Sequence, residues 1–365
     1  MNIKLDHLNF AVGPVQIPDY IRALSAEPVP YFRTADFSAL MLENEKLFKE
    51  LVDAPEDARA VFLTGSGTAA MDAVVNNLFT AQDKLLVVNG GSFGHRFCEI
   101  CQCYDLPYQD IVMEMGKDLK PEDLAPYENA GFTGFLINMH ETSTGVLYNM
   151  PLVADFCRRN HLILVVDAIS AFLADPLSMK ELGADVVLTG SQKALALAPG
   201  VSLVALSARA VDRIMGNKPK CYYLDLKAAL RNGERGQTPF TPAVGLLIQL
   251  NARLNQIAAD GIETERGKIA AVAADFRRRI QNYPFRIVSE SLSNTVTPLA
   301  PTGEGVNAYE IFETLQNEYG IIICPNGGEM KEKIFRVGHI GCHTLADNDA
   351  LFAALDELVK RGIVR

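Results

Sequence analysis

The chain lacks a basic surplus. Its 34 Lys and Arg are outnumbered by 44 Asp and Glu, for a net charge of -10. A nucleic-acid surface needs clustered cations, so that class of partner is excluded. No apolar run is long enough to span a bilayer, so no membrane role is expected. The opening residues MNIKLDHLNF lack the basic region and apolar core of a secretory leader. Internal repeats and low-complexity tracts are missing too. The 7 cysteines are odd in number and scattered along 365 residues. They fit a reducing cytoplasm better than a disulfide framework. Cys98 and Cys101 have CxxC spacing, but no second Cys or His pair completes a zinc set nearby. With Cys103 they read as a buried helix face following Phe97, and no metal is expected.

What is present is a globular composition, 48% hydrophobic and 21% charged, long enough for two domains. Apolar strands over residues 60–63, 84–88, 132–139, 162–166 and 185–189 alternate with helices over 69–79, 95–103 and 152–160. This alternation predicts an α/β fold, a mostly parallel sheet with helices on both faces. A further helix is expected over 37–52 and a returning strand over 201–206. Residues 1–30, with four prolines, show no periodicity, and 227–242 read as a long exposed excursion. One or two long helices fill 243–283. Beyond Pro284, short strands and the helices 308–319 and 348–361 predict a smaller C-terminal α+β domain. The expected division is an arm over 1–15, a large domain over 16–260 and a small domain over 261–365.

Five strands end in polar or glycine-rich clusters: Gly65-Ser66-Gly67-Thr68, the NGGSFG loop at 89–94, the HETSTG loop at 140–145, Asp167, and Gly190-Ser191-Gln192-Lys193. In an open α/β sheet that edge binds ligands. The strand–glycine turn–helix at 64–68 suits a single phosphate, since it lacks the lysine of a P-loop and the GxGxxG of a dinucleotide fold. A plain turn capped by Ser66 or Thr68 would look the same. Phe93 either presses on something flat or plugs the core. His140 is either a general base or a structural histidine, and the structural reading is preferred. A carboxylate beside a heteroaromatic nitrogen keeps that nitrogen protonated. A lysine amine condenses with an aldehyde. Asp167, Lys193 and a phosphate cradle together point to pyridoxal 5'-phosphate.

These motifs, with Thr241-Pro242-Ala243-Val244 and Phe335-Arg336-Val337-Gly338, carry a resemblance over nearly the whole chain. The sequence resembles the class V aminotransferases of the fold type I pyridoxal-phosphate enzymes, and within them the alanine/serine–glyoxylate and 2-aminoethylphosphonate–pyruvate transaminases. The resemblance implies a homodimer that transfers an amino group from a small amino acid to a 2-oxo acid such as glyoxylate or pyruvate. It implies Lys193 as the Schiff-base lysine and Asp167 as the partner of the ring nitrogen. Ile169 and Phe93 would cover the two ring faces, and Thr142 would bond near the ring oxygen. Ser66, Gly67, Thr68 and Gln192 would hold the phosphate, with Thr238 and Thr241 of one subunit reaching the other's site. Arg336 would grip the substrate carboxylate. A 2-aminoethylphosphonate–pyruvate transaminase is the alternative; a cysteine desulfurase or lyase, and a non-enzymatic protein on the same scaffold, are the remaining readings.

Overall fold

Seven strands form the sheet that carries the site, in a computed structural model that describes residues 7–365. They are β1 (Arg59–Thr64), β2 (Leu85–Asn89), β3 (Tyr108–Val112), β4 (Gly134–Asn138), β5 (Ile163–Asp167), β6 (Val186–Gly190) and β7 (Val201–Leu206). Their order is β1-β7-β6-β5-β4-β2-β3. The run β6-β5-β4-β2-β3 is parallel throughout. β7 turns back and lies antiparallel between β6 and β1. β4, β5 and β6 are buried at every residue, as expected where helices cover both faces. Alternate residues feed opposite cores: Leu164 and Val187 join the cluster around Phe48 and Leu250, while Val165 and Leu188 join the one around Met71 and Phe97.

A second sheet is antiparallel: β8 (Phe285–Ile287), β9 (Val296–Pro301), β10 (Cys324–Pro325) and β11 (Phe335–Gly338), in the order β8-β9-β11-β10. Its core contains Phe276, Phe335, Phe352 and Leu315. Several segments reach both cores, among them a long helix and the N-terminal segment. Helix Ile262–Ile280 places Ile269 in the larger and Phe276 in the smaller. The N-terminal segment pairs Leu8–Asn9 with Ile321–Ile322, buries Phe10 in the smaller core, and sends Val12 and Val15 into the larger.

Three local expectations need correction. Strand β3 was not anticipated; it is a sheet edge on which Ile111 alone is buried, so it carries no apolar pattern. The exposed excursion begins instead as helix Leu226–Gly233, whose Leu226, Ala229 and Leu230 are buried at helical spacing. The proline-rich segment contains helix Asp19–Leu24, anchored by buried Ile21. Cys98 and Cys101 face the core beside Phe97, and Cys103 is exposed. Among the described residues no helix is long and apolar enough to cross a membrane.

Candidate active site

The turn after β6 is pinned before it presents its lysine. Ser191 N–H donates to Val201 O (2.9 Å), and Ser191 Oγ donates to Ala198 O (2.7 Å). Lys193 follows, 8% exposed, and its Nζ donates to Val12 O at 2.6 Å. The N-terminal segment can pass this close because residue 13 is glycine. A Cβ there would lie 2.8 Å from Lys193 Cδ and 3.0 Å from Gln192 O, and its φ of +136° disfavours other residues. Burial lowers the Lys193 amine to about 8 against the opposing pull of Cys324, with the Arg336 cation adding to the lowering. Behind it, the buried Arg253 guanidinium donates to Leu195 O at 3.1 Å and pairs with buried Glu265.

Asp167 closes β5. Its Oδ1 accepts from Ile169 N–H at 2.8 Å. Burial raises its carboxyl to about 7, against the Ile169 N–H; the Glu141 carboxylate adds to the rise, and the Lys193 and Arg96 cations oppose it. A buried acid in this condition gains from a fixed cation beside it.

Helix Gly67–Leu78 starts after Ser66 with no side-chain cap, so its first N–H groups stay free for an anion. Gly67 lies against Ile169: a Cβ there would come within 2.2 Å of Ile169 Cδ1. Gln192 Oε1 is buried without a partner. Thr68 Oγ1 accepts from Arg96 Nη1 at 3.2 Å, and the same guanidinium stacks 4.8 Å from the Phe93 ring centroid.

Phe93 is half-buried, with Lys193 Nζ 5.9 Å from its centroid. The core is plugged by Phe97 instead, which is fully buried. Phe93 is held by Glu141, a buried carboxylate at the start of helix Ser92–Cys103. Glu141 accepts from Phe93 N–H (3.2 Å), Gly94 N–H (2.9 Å), Asn138 Nδ2 (2.9 Å) and Ser143 N–H (3.1 Å). His140 Nδ1 meets Ser170 Oγ at 2.9 Å, and Thr142 Oγ1 donates to that oxygen at 2.8 Å. Burial first, then the Lys193, Arg277 and Arg336 cations, lower His140 to about 3, which leaves it a neutral hydrogen-bonding group.

Arg336, on β11, reaches across to the large sheet. Nη1 donates to Thr142 O and Nη2 to Pro325 O, each at 2.9 Å. A cavity of about 610 Å³ opens among Phe93, Ser143, Met113, Asn326 and Arg336. Thr238 and Thr241 line a different groove, with Phe62, Thr64 and Tyr223. Thr238 is buried, its Oγ1 donating to Phe240 O (2.7 Å) while Arg33 Nη1 grips its carbonyl (2.9 Å); Thr241 is exposed.

Residues 21–335 match the Aminotransferase class-V family. The chain belongs to the class-V aminotransferases. The soluble hydrogenase 42 kDa subunit of Anabaena cylindrica is 31% identical to it over 93% of this chain and 89% of the relative. An L-aspartate–glyoxylate aminotransferase of Paracoccus denitrificans is 26% identical over 92% and 86%. The solved aspartate aminotransferase of subgroup IV from Thermus thermophilus superposes with a TM-score of 0.89 at 29% identity, covering 97% of this chain and 99% of that one.

This class-V aminotransferase therefore depends on pyridoxal phosphate, and its own residues fit that group. An uncapped helix start suits a phosphate. The buried Asp167 acid suits a ring cation, and the buried Lys193 amine suits an aldehyde. Two residues escaped the sequence reading: Glu141 and Arg96. Glu141 stood in a cluster already singled out, but the helix it caps starts some fifty residues upstream. Arg96 lies four residues into that helix, where a solvated face is the default reading.

Proposed function

We propose that this aminotransferase moves an amino group from a small amino acid to a small 2-oxo acid, glyoxylate or pyruvate, with Lys193 as the reacting lysine. The observation that carries the reading is Lys193 itself: a buried amine lowered to about 8, on the same sheet edge as the Asp167 acid. When bound, pyridoxal phosphate supplies an aldehyde and an electron-withdrawing ring.

The chain's residues do the rest. Near pH 8 about half of Lys193 is neutral, so Nζ can attack a carbonyl carbon and afterwards take up and return a proton. Asp167 stabilises a proton on a ring nitrogen by opposite charge. Phe93 and Ile169 pack on ring faces, and Thr142 offers its hydroxyl to the ring oxygen. Ser66, Gly67, Thr68 and Gln192 take the phosphate. Arg336 keeps Nε–H and one N–H on each Nη after its two carbonyl bonds, enough to hold a carboxylate in bidentate fashion. The Pro239–Thr241 segment, half-buried up to exposed Thr241 and next to exposed Tyr222 and Tyr223, serves a second copy of the chain, bringing Thr238 and Thr241 to that copy's phosphate. The proposed compartment is the cytoplasm, in keeping with seven free thiols.

A stopped-flow screen tests this function. Amino donors should convert the cofactor's absorbance, and glyoxylate or pyruvate should restore it. A holoenzyme that responds to no amino acid would sink the reading.

A further inference from the structure

The N-terminal segment connects the small sheet to Lys193. Phe10 N–H donates to Ile322 O and Gly338 N–H donates to Phe10 O, each at 2.7 Å, which fixes residue 10 on the C-terminal part of the chain. His343 adds a clamp: its Nε2 donates to Asn9 O at 2.9 Å, and its ring stacks on Phe10 with centroids 4.4 Å apart. The Asn9 side chain then bends the segment. Its Oδ1 accepts from Ala11 N–H and its Nδ2 donates to Pro14 O, each at 2.9 Å, so it brackets Val12 and Gly13. The loop so formed aims Val12 O at Lys193 Nζ, 2.6 Å away. Among the described residues this is the hydrogen bond that the amine makes. Leaving a buried amine without an acceptor is costly, and more so when it is charged.

We propose that the Val12 carbonyl is a dock for the Lys193 amine whenever that amine is not bonded to the cofactor, with Asn9 as the positioning residue that holds the carbonyl in place. This rests on the transamination reading above and deepens it. An incoming amino group takes over the lysine's bond to the cofactor carbon, and the lysine leaves as a free amine. Val12 O then accepts one of its N–H groups and keeps it at the site. The bond is stronger to the ammonium than to the neutral amine, so the dock favours the charged form and opposes the effect of burial. The other ionisable groups facing this amine are Asp167, Cys324, Arg336, Arg96 and His140. Asn9 is uncharged and its side chain bonds backbone groups, so replacing it removes no charge from that set.

The test is competitive acetylation across pH, read at Lys193 by mass spectrometry. It uses the full-length chain, both free of cofactor and loaded with pyridoxamine phosphate, which leaves the lysine unbonded. Asn9→Ala should move the pH of half-maximal labelling down by about one unit in both forms, because the ammonium has lost its acceptor. Asn9→Ser, which keeps an acceptor for Ala11 N–H, should show a smaller fall in the same direction. A midpoint in Asn9→Ala equal to or above that of the wild type, in either form, would overturn the assignment. If Asn9→Ala does not fold, an unchanged midpoint in Asn9→Ser overturns it instead. If the midpoint falls as expected, yet borohydride reduction of the holoenzyme leaves no pyridoxyl group on Lys193, the transamination reading falls and the dock stands.

Discussion

Lys193 is an amine taken out of water and parked on a backbone carbonyl. Lowering it to about 8 has a definite sign: the reactive neutral form accumulates as pH rises through 8, well below the usual lysine range. The rate at which apo-protein captures pyridoxal phosphate should therefore climb about tenfold per pH unit up to pH 8 and then level off. A rate still climbing at pH 10 would show an unperturbed amine. Gly67 makes a second residue-scale test. In Gly67→Ala the new methyl meets Ile169 Cδ1, so either the helix start, proposed as the phosphate cradle, or Ile169 must shift. Cofactor affinity, measured by equilibrium titration of the apo-protein, should fall by about tenfold or more, equivalent to about 1.4 kcal/mol. Unchanged affinity would mean that Ile169 moves aside freely.

Elements are where the sequence was most and least legible. Buried strands β4, β5 and β6 announced themselves by unbroken apolar runs, and the polar clusters at their ends marked Asp167 and Lys193 as site residues. Strand β3 stayed hidden because an edge strand needs one buried side chain rather than a pattern. The roles of Glu141 and Asn326 stayed hidden for another reason. Both act on segments far away in sequence: Glu141 on the start of helix Ser92–Cys103, and Asn326 on the loop at Ser143. Only folding reveals those partners. Glu141→Ala should accordingly strip an acceptor from five donors, two of them buried, and lower stability by about 3 kcal/mol or more, seen as a lower melting temperature. The helix pair Val244–Asp260 and Ile262–Ile280 offers a sharper case. Arg253→Ala would leave the buried Glu265 carboxylate with only Lys268, 3.9 Å away, and release Leu195 O behind Lys193. A loss of about 3–5 kcal/mol in chemical denaturation is expected. A loss under about 1 kcal/mol would mean that the pair is solvated in solution.

The whole molecule closes its site with two structural halves and, by the proposal above, two copies. Arg336 bonds Thr142 O and Asn326 bonds Ser143 O, so the small sheet is tied to the loop over residues 140–145. The groove holding Thr238 and Thr241 lies apart from the cavity at Phe93 and Arg336. A shared site makes a clear demand on hybrids. Lys193→Ala mixed with a chain carrying Thr238→Ala and Thr241→Ala should form hybrid dimers with one complete site each, and so about half the activity per dimer. Activity no greater than the sum of the two parents would place the threonines outside the partner's site. The central claim, however, is the identity of the reacting lysine, and one measurement reaches it directly. The holoenzyme is reduced with borohydride, digested, and mapped by mass spectrometry. A pyridoxyl group on Lys193 is the expected result. The group on any other lysine, or its absence from the protein, would contradict the account.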